Sequence, residues 1–207
     1  MSAKALAASD PVMAALIERI GEIDLATRLA RRREERPADA YGALLRAIVG
    51  QQLSTKAART IYLRVLDLFG GATPPPKRLL EASEEGLRGC GLSGRKVEYV
   101  RDLASHVLSG ELELERLGEL PDEKVIEEIV AVRGLGQWTA EMFLLFHLER
   151  PDVLSGGDLG ICKAIGIEYG LDGMPPPAKV LEIGEAWRPH RSLASLYLWE
   201  SLAAVPG

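Results

Sequence analysis

The chain has 207 residues, 47% hydrophobic and 27% charged, enough for one compact domain or two closely joined lobes around a real core. A formal net charge of −5 excludes a broadly basic surface, although it does not describe any one face or count phosphate grips built from backbone amides. Two cysteines, Cys90 and Cys162, exclude a disulfide framework and a four-cysteine iron–sulfur cluster; with no membrane-length apolar run and no apolar signal core after Met1, they predict a reducing, cytoplasmic setting (nucleoid-associated in a bacterium).

In chain order, the sequence predicts helices nearly throughout and no alternating strand pattern. Pro11 to Ile20 and Asp24 to Arg33 form two helices joined near Gly21. The mixed run Arg31-Arg32-Arg33-Glu34-Glu35-Arg36 reads first as a solvated helix end and second as a patch facing a polyanion. Asp39 caps a helix from Ala40 to about Gln51, and Ser54 caps the next, with Ala58, Ile61, Val65 and Phe69 along one face. Gly70-Gly71 ends it, Pro74-Pro75-Pro76 marks a loop, and two short helical pieces follow. A longer helix runs from Ser93 to Leu108, with Val97, Val100, Ala104 and Val107 on one side. Pro121, Asp122 and Glu123 start another, whose Val125, Ile126, Ile129 and Val130 face inward. The helix from Gln137 to about Leu148 is very apolar and central, and Asp158 caps one reaching Tyr169. Pro175-Pro176-Pro177 breaks the chain, and the last helix runs from about Pro189 to Ala204.

Four blocks carry chemistry. In Val132-Arg133-Gly134-Leu135-Gly136-Gln137-Trp138-Thr139-Ala140, a Gly-x-Gly hairpin opens directly into a helix, which places hairpin amides and a helix start together as an anion site suited to a phosphate. Gly157-Asp158-Leu159-Gly160 follows with a lone acid, readable as an N-cap alone or as an ionised carboxylate beside the chemistry. Ile48-Val49-Gly50-Gln51-Gln52-Leu53-Ser54 is a polar break between two helices, and Trp187-Arg188-Pro189-His190-Arg191 to Trp199 opens the closing helix.

Together these blocks resemble the helix-hairpin-helix DNA glycosylases, in particular the AlkA-type 3-methyladenine DNA glycosylase II branch, over about residues 40 to 205. The resemblance implies an all-α, two-lobed fold with a cleft between lobes, residues 39–150 forming one and residues 1–38 with 151–207 the other. It implies that Asp158 is the catalytic carboxylate, with Asp152 the weaker candidate. Bifunctional relatives carry a Schiff-base lysine where this chain has Trp138, so it implies base removal without strand cleavage. Trp138, whose other reading is a core aromatic, would line the base pocket with Tyr41 and Met142 and favour a cationic base. Gln52 would fill the gap left by a flipped nucleotide. Gly134, Gly136, Thr139, Gln51 and Ser54 would contact the DNA backbone, and the pair Arg95 and Lys96 would touch phosphate. The carbonyls of Val130, Val132 and Leu135 would hold Na+ or K+; no other cofactor is implied. Arg188 and Arg191 read as structural or phosphate contacts, and His106 and His147 as structural.

The expected partner is double-stranded DNA with damaged bases, the expected state a monomer, and the N-terminal β-rich domain of the best-known AlkA-type enzyme is expected to be absent. The chain departs from that branch at Met142, Cys162, His190 and after Trp199, where no aromatic follows. Two rival readings stay open: a glycosylase for uracil, a mismatch or an oxidised base, and a non-catalytic DNA-binding module of the same fold.

Overall fold

The computed structural model describes residues 2–24, 27, 37 and 39–203. Among them the regular elements are all helical: α1 (Ala3–Ser9), α2 (Pro11–Ile20), α3 (Ala40–Gly50), α4 (Thr55–Leu68), α5 (Pro76–Glu81), α6 (Glu84–Gly89), α7 (Gly94–Ser109), α8 (Asp122–Ala131), α9 (Gln137–Phe146), α10 (Leu159–Glu168), α11 (Pro177–Gly184) and α12 (Arg191–Ala203). Apart from Asp24 and Thr27, the expected helix from Asp24 to Arg33 and the charge run 31–36 lie outside the described residues.

Helix starts follow local chemistry. The side chains of Asp39, Ser54, Ser93 and Asp158 each accept a first-turn amide, as a short oxygen acceptor at N-cap should. Two helices depart from the expectation. Ser2 caps α1, and Pro177 does not merely break the chain but opens α11, where a missing N–H leaves no orphan donor.

The chain forms two compact units, Met1–Glu34 with Leu144–Gly207, and Glu35–Phe143; α9 contributes to both. In the first, which holds both termini, α1 packs on α2, α2 on α12, α12 on α10 and α10 on α11. Leu6, Met13, Leu16, Ile161, Ile165, Trp187 and Tyr197 are fully enclosed, each aliphatic among them contributing about 1.5–3 kcal/mol. From Ser192 to Leu198 every residue of α12 is buried, so this helix shows no polar stripe. Asp10 caps α2 through Oδ1, which accepts the Val12 and Met13 amides at 2.8 and 3.2 Å, while Oδ2 accepts Tyr169 Oη at 2.5 Å and Trp187 Nε1 at 2.9 Å.

In the second unit α3 packs on α4 and α7, and α7 also receives α5 and α6. Leu44, Leu45, Ile48, Val65, Leu79, Leu87, Val100 and Leu103 fill its core. Two expected core positions change. Tyr62 is buried on α4 where Phe69 is only half-buried, and Val130 is 43% exposed while Val125, Ile129 and Val132 are buried. Positions 125, 129 and 132 recur at four and three residues and share one stripe; position 130 falls off it.

Candidate functional site

Asp158 sits at the N-cap of α10 with an extended φ of −70° and ψ of 119°, and is only 8% exposed. Its Oδ1 accepts the Ile161 amide at 2.9 Å and the Trp199 indole N–H at 3.0 Å. The glycine of the Asp158-Leu159-Gly160 sequence has a packing reason: a Cβ at Gly160 would lie 3.0 Å from Trp199 Cδ1 and 3.1 Å from Asp158 Oδ1. A Cβ there would press on both groups, so the indole or the acid would have to shift by a few tenths of an ångström. Phe146 stacks on Trp199, with ring centroids 5.8 Å apart, and fixes its plane.

The backbone leading to Asp158 is laced to α12. Ser192 Oγ donates to the Arg150 carbonyl at 2.6 Å and accepts the Val153 amide at 3.0 Å. Ser195 Oγ reaches the Val153 carbonyl at 3.4 Å, and Cys162 Sγ bonds the Gly156 carbonyl at 3.3 Å. Burial first, and then the charge of Asp158, push the Cys162 thiol above its ordinary value, so it stays protonated. Asp152 is committed elsewhere: Oδ2 meets Arg188 Nη1 at 2.7 Å and Oδ1 meets Arg191 Nε at 2.9 Å. Both arginines are thereby tied to this loop.

In the second unit, Gly134 and Gly136 have different reasons to be glycine. Gly134 has φ +85°, and a Cβ there would meet the Tyr99 ring at 2.2 Å. Gly136 is exposed, has no positive φ, and a Cβ would meet nothing within 4 Å. Two hairpin amides are spent internally: Arg133 N–H donates to Asp102 Oδ2 at 2.8 Å, and Leu135 N–H to the Val132 carbonyl at 3.1 Å. Thr139 is 7% exposed, and its amide donates to Gly136 at 2.9 Å, which makes it a packing residue of the first α9 turn. Trp138, by contrast, is 52% exposed and is no core aromatic; Met142 is half-buried, and Tyr41 is buried with its hydroxyl unpaired by any described residue.

The polar break 50–54 is a tight turn braced from α7. The Leu53 amide donates to the Gly50 carbonyl at 3.2 Å, and Gln52, exposed at the tip, has φ +57°. A non-glycine residue in that region carries about 1–3 kcal/mol of strain, which persists where surrounding contacts impose it. Gln51 does not face outward as a backbone contact: its Nε2 donates to the Gly134 carbonyl at 2.6 Å. Lys96 is likewise no phosphate hand. Its Nζ donates to the carbonyls of Val49 at 2.6 Å and Gln51 at 2.8 Å, and burial lowers its pKa from the ordinary lysine value. Arg95 is exposed, and Ser54 Oγ caps α4 by accepting the Ala57 amide. Lys96, Tyr99 and Asp102, three residues apart along α7, thus hold both the turn and the hairpin. The positions of Trp199, Tyr99 and Asp102 beside these loops left no local sequence signal, because each partner is more than thirty residues away.

Among the described residues no cluster of three or more His, Cys, Asp or Glu could hold a metal, and no helix is long and apolar enough to cross a membrane. Residues 45–189 match the family model described as HhH-GPD superfamily base excision DNA repair protein. The chain is 33% identical over 168 residues to the putative DNA-3-methyladenine glycosylase YfjP of Bacillus subtilis, covering 78% of this chain and 58% of that relative. It is similar to the crystal structure of a DNA-3-methyladenine glycosidase from Bacillus halodurans (TM-score 0.82, 40% identity, 97% of this chain and 88% of that one). It is also similar to the Schizosaccharomyces pombe 3-methyladenine DNA glycosylase Mag1 in complex with abasic DNA (TM-score 0.82, 29% identity, 98% and 97%).

Proposed function

Because the chain belongs to the HhH-GPD superfamily of base excision DNA repair proteins, we propose that it is a monofunctional DNA glycosylase that flips an alkylated purine, of the 3-methyladenine or 7-methylguanine type, out of duplex DNA and hydrolyses its N-glycosidic bond. The observation that carries this reading is Asp158, a buried carboxylate held at a helix start by an amide and an indole, within the span 45–189 that matches the base excision DNA repair family. Alkylation places positive charge on the purine, so the C1′–N bond breaks with its electron pair leaving to a neutral base, and little acid catalysis is needed. Positive charge develops on the sugar, where the Asp158 carboxylate stabilises it and orients the water that adds to C1′, the water's proton passing to solvent. The product is an abasic site; Trp138 has no amine with which to form a Schiff base and cleave the strand.

Trp138, with Met142 and Tyr41, contacts the extruded base, its electron-rich face suited to a cation at about 0.5–2 kcal/mol. Gln52 enters the vacated position in the duplex. Gly136 and the start of α9 receive a phosphate, since open space above Gly136 lets a backbone oxygen approach closely; the Ser54 hydroxyl keeps its proton to donate. Carbonyl oxygens are the donors a hard cation takes, and the Val132 carbonyl keeps a second lone pair beyond its bond to Leu135. Val130, Val132 and Leu135 would hold Na+ or K+, which would add positive charge beneath that phosphate. The test is chromatography of free bases after incubation with methylated, uracil-containing and 8-oxoguanine duplexes. Release of methylated purines by the parent protein and not by Asp158→Asn, with DNA binding retained by both, is the expected result. Release of only uracil or an oxidised base, or unchanged release by the variant, would overturn it.

A further inference from the structure

The turn at 50–53 has the geometry of a type II turn without the residue that type favours. Gln51, with φ −54° and ψ 134°, and Gln52, with φ +57°, occupy its two central positions, closed by the Leu53 amide on the Gly50 carbonyl. A type II turn calls for glycine or asparagine at the second of these; with glutamine there, the ordinary outcome is type I, in which that φ is negative. The two forms differ in the direction of the central peptide. Rotating it carries its carbonyl to the opposite side and reverses the sign of φ at the following residue.

Here the central peptide joins Gln51 to Gln52, and its carbonyl is the one that Lys96 Nζ grips at 2.8 Å. The second bond of the ammonium, 2.6 Å to the Val49 carbonyl, tethers it to the end of α3, so it does not follow a rotating peptide. We infer that Lys96 is a positioning residue: by holding the Gln51 carbonyl it keeps the turn in the strained form and thereby sets where the Gln52 side chain points. The catalytic consequence rests on Gln52 being the residue that enters the duplex; the conformational part stands without it.

The experiment uses Lys96→Met, similar in length but without donors, alone and combined with Gln52→Asn, whose shorter amide tolerates positive φ. The φ of Gln52 is read from the crystal structure of Lys96→Met, and base release from a 7-methylguanine duplex is measured in single turnover. Negative φ is expected in Lys96→Met, with release about tenfold slower, the equivalent of about 1.4 kcal/mol. Affinity for an undamaged duplex stays within about twofold, and the rate penalty shrinks to about twofold in the Gln52→Asn background, where the turn needs no clamp. Positive φ retained in Lys96→Met, or an equal penalty in both backgrounds, would overturn the inference. If the parent protein releases no base, the glycosylase reading fails while the φ of Lys96→Met still decides the role of Lys96. Should Lys96→Met not fold, Lys96→Gln, which is too short for both carbonyls, gives the same readouts.

Discussion

The starts of α2 and α10 use the same device. Each has an aspartate at the N-cap, nearly buried, and each aspartate accepts first-turn amide and tryptophan indole hydrogens. At Asp10 four donors are shared between both oxygens, with Tyr169 Oη closing the set. At Asp158 the Ile161 amide and the Trp199 indole both go to Oδ1. Capping plus an indole donor is therefore common to both; Asp158 differs in lying within residues 45–189, the span that matches the base excision DNA repair family, whereas Asp10 lies outside it. Gly134 and Gly136 repeat the contrast in the other unit, one enforced by the Tyr99 ring and one left open to solvent.

The sharpest way to break the comparison is to exchange the charges. Asp158→Asn should lower single-turnover release of a methylated purine by on the order of 10²–10³ while leaving the melting temperature nearly unchanged. Comparable release by that variant would place Asp158 with Asp10 as a cap alone. Gly134→Ala drives a methyl into Tyr99 and should destabilise by about 2–3 kcal/mol in urea titration. Gly136→Ala should stay within about 0.5 kcal/mol of the parent protein in the same titration, yet weaken duplex binding. Equal stability losses for the two glycines would remove the distinction drawn between them.

Smaller effects sharpen it further. Trp199→Phe keeps an aromatic ring against Phe146 but removes the donor to Asp158, and should lower kcat about tenfold with KM little changed. A KM effect alone would mean that the indole does not position the acid. Asp10 supplies the pH test. Burial would raise its carboxyl, but the bonds from Tyr169, Trp187 and two amides outweigh burial and hold it below its ordinary value of 3.8. Its stabilisation is therefore complete above that value and is lost as pH falls below it. Melting temperature followed from pH 5 downward should fall less steeply in Asp10→Asn, a variant destabilised by about 1 kcal/mol at neutral pH and still active. Identical slopes would show that Asp10 is not the group being protonated.

The helical fold was legible because its signals are local. Ser54, Ser93, Asp39 and Asp158 announce helix starts within three residues of the amides they cap. The hairpin and the acid were legible as a pattern, but the directions of side chains were not. Gln51 and Lys96 look like polar groups awaiting DNA, and both turn inward to carbonyls. Nothing in the sequence tells a lysine that reaches phosphate from one that caps a helix end, since both need the same stem and charge. Trp199 was visible only as part of a closing block; its bond to Asp158 spans 41 positions and passes close over Gly160, where a Cβ would crowd it.

The seryl and arginyl contacts along α12 have a consequence for local unfolding. A stretch of chain without regular structure, from Arg150 to Asp158, hangs on the hydroxyls of Ser192 and Ser195 and on the guanidinium of Arg191. Such a segment does not fray like an ordinary surface connection; it opens when the terminal helix opens, as one cooperative piece. Heat or mutation that loosens the last helix is therefore expected to release the segment that leads to Asp158 with it.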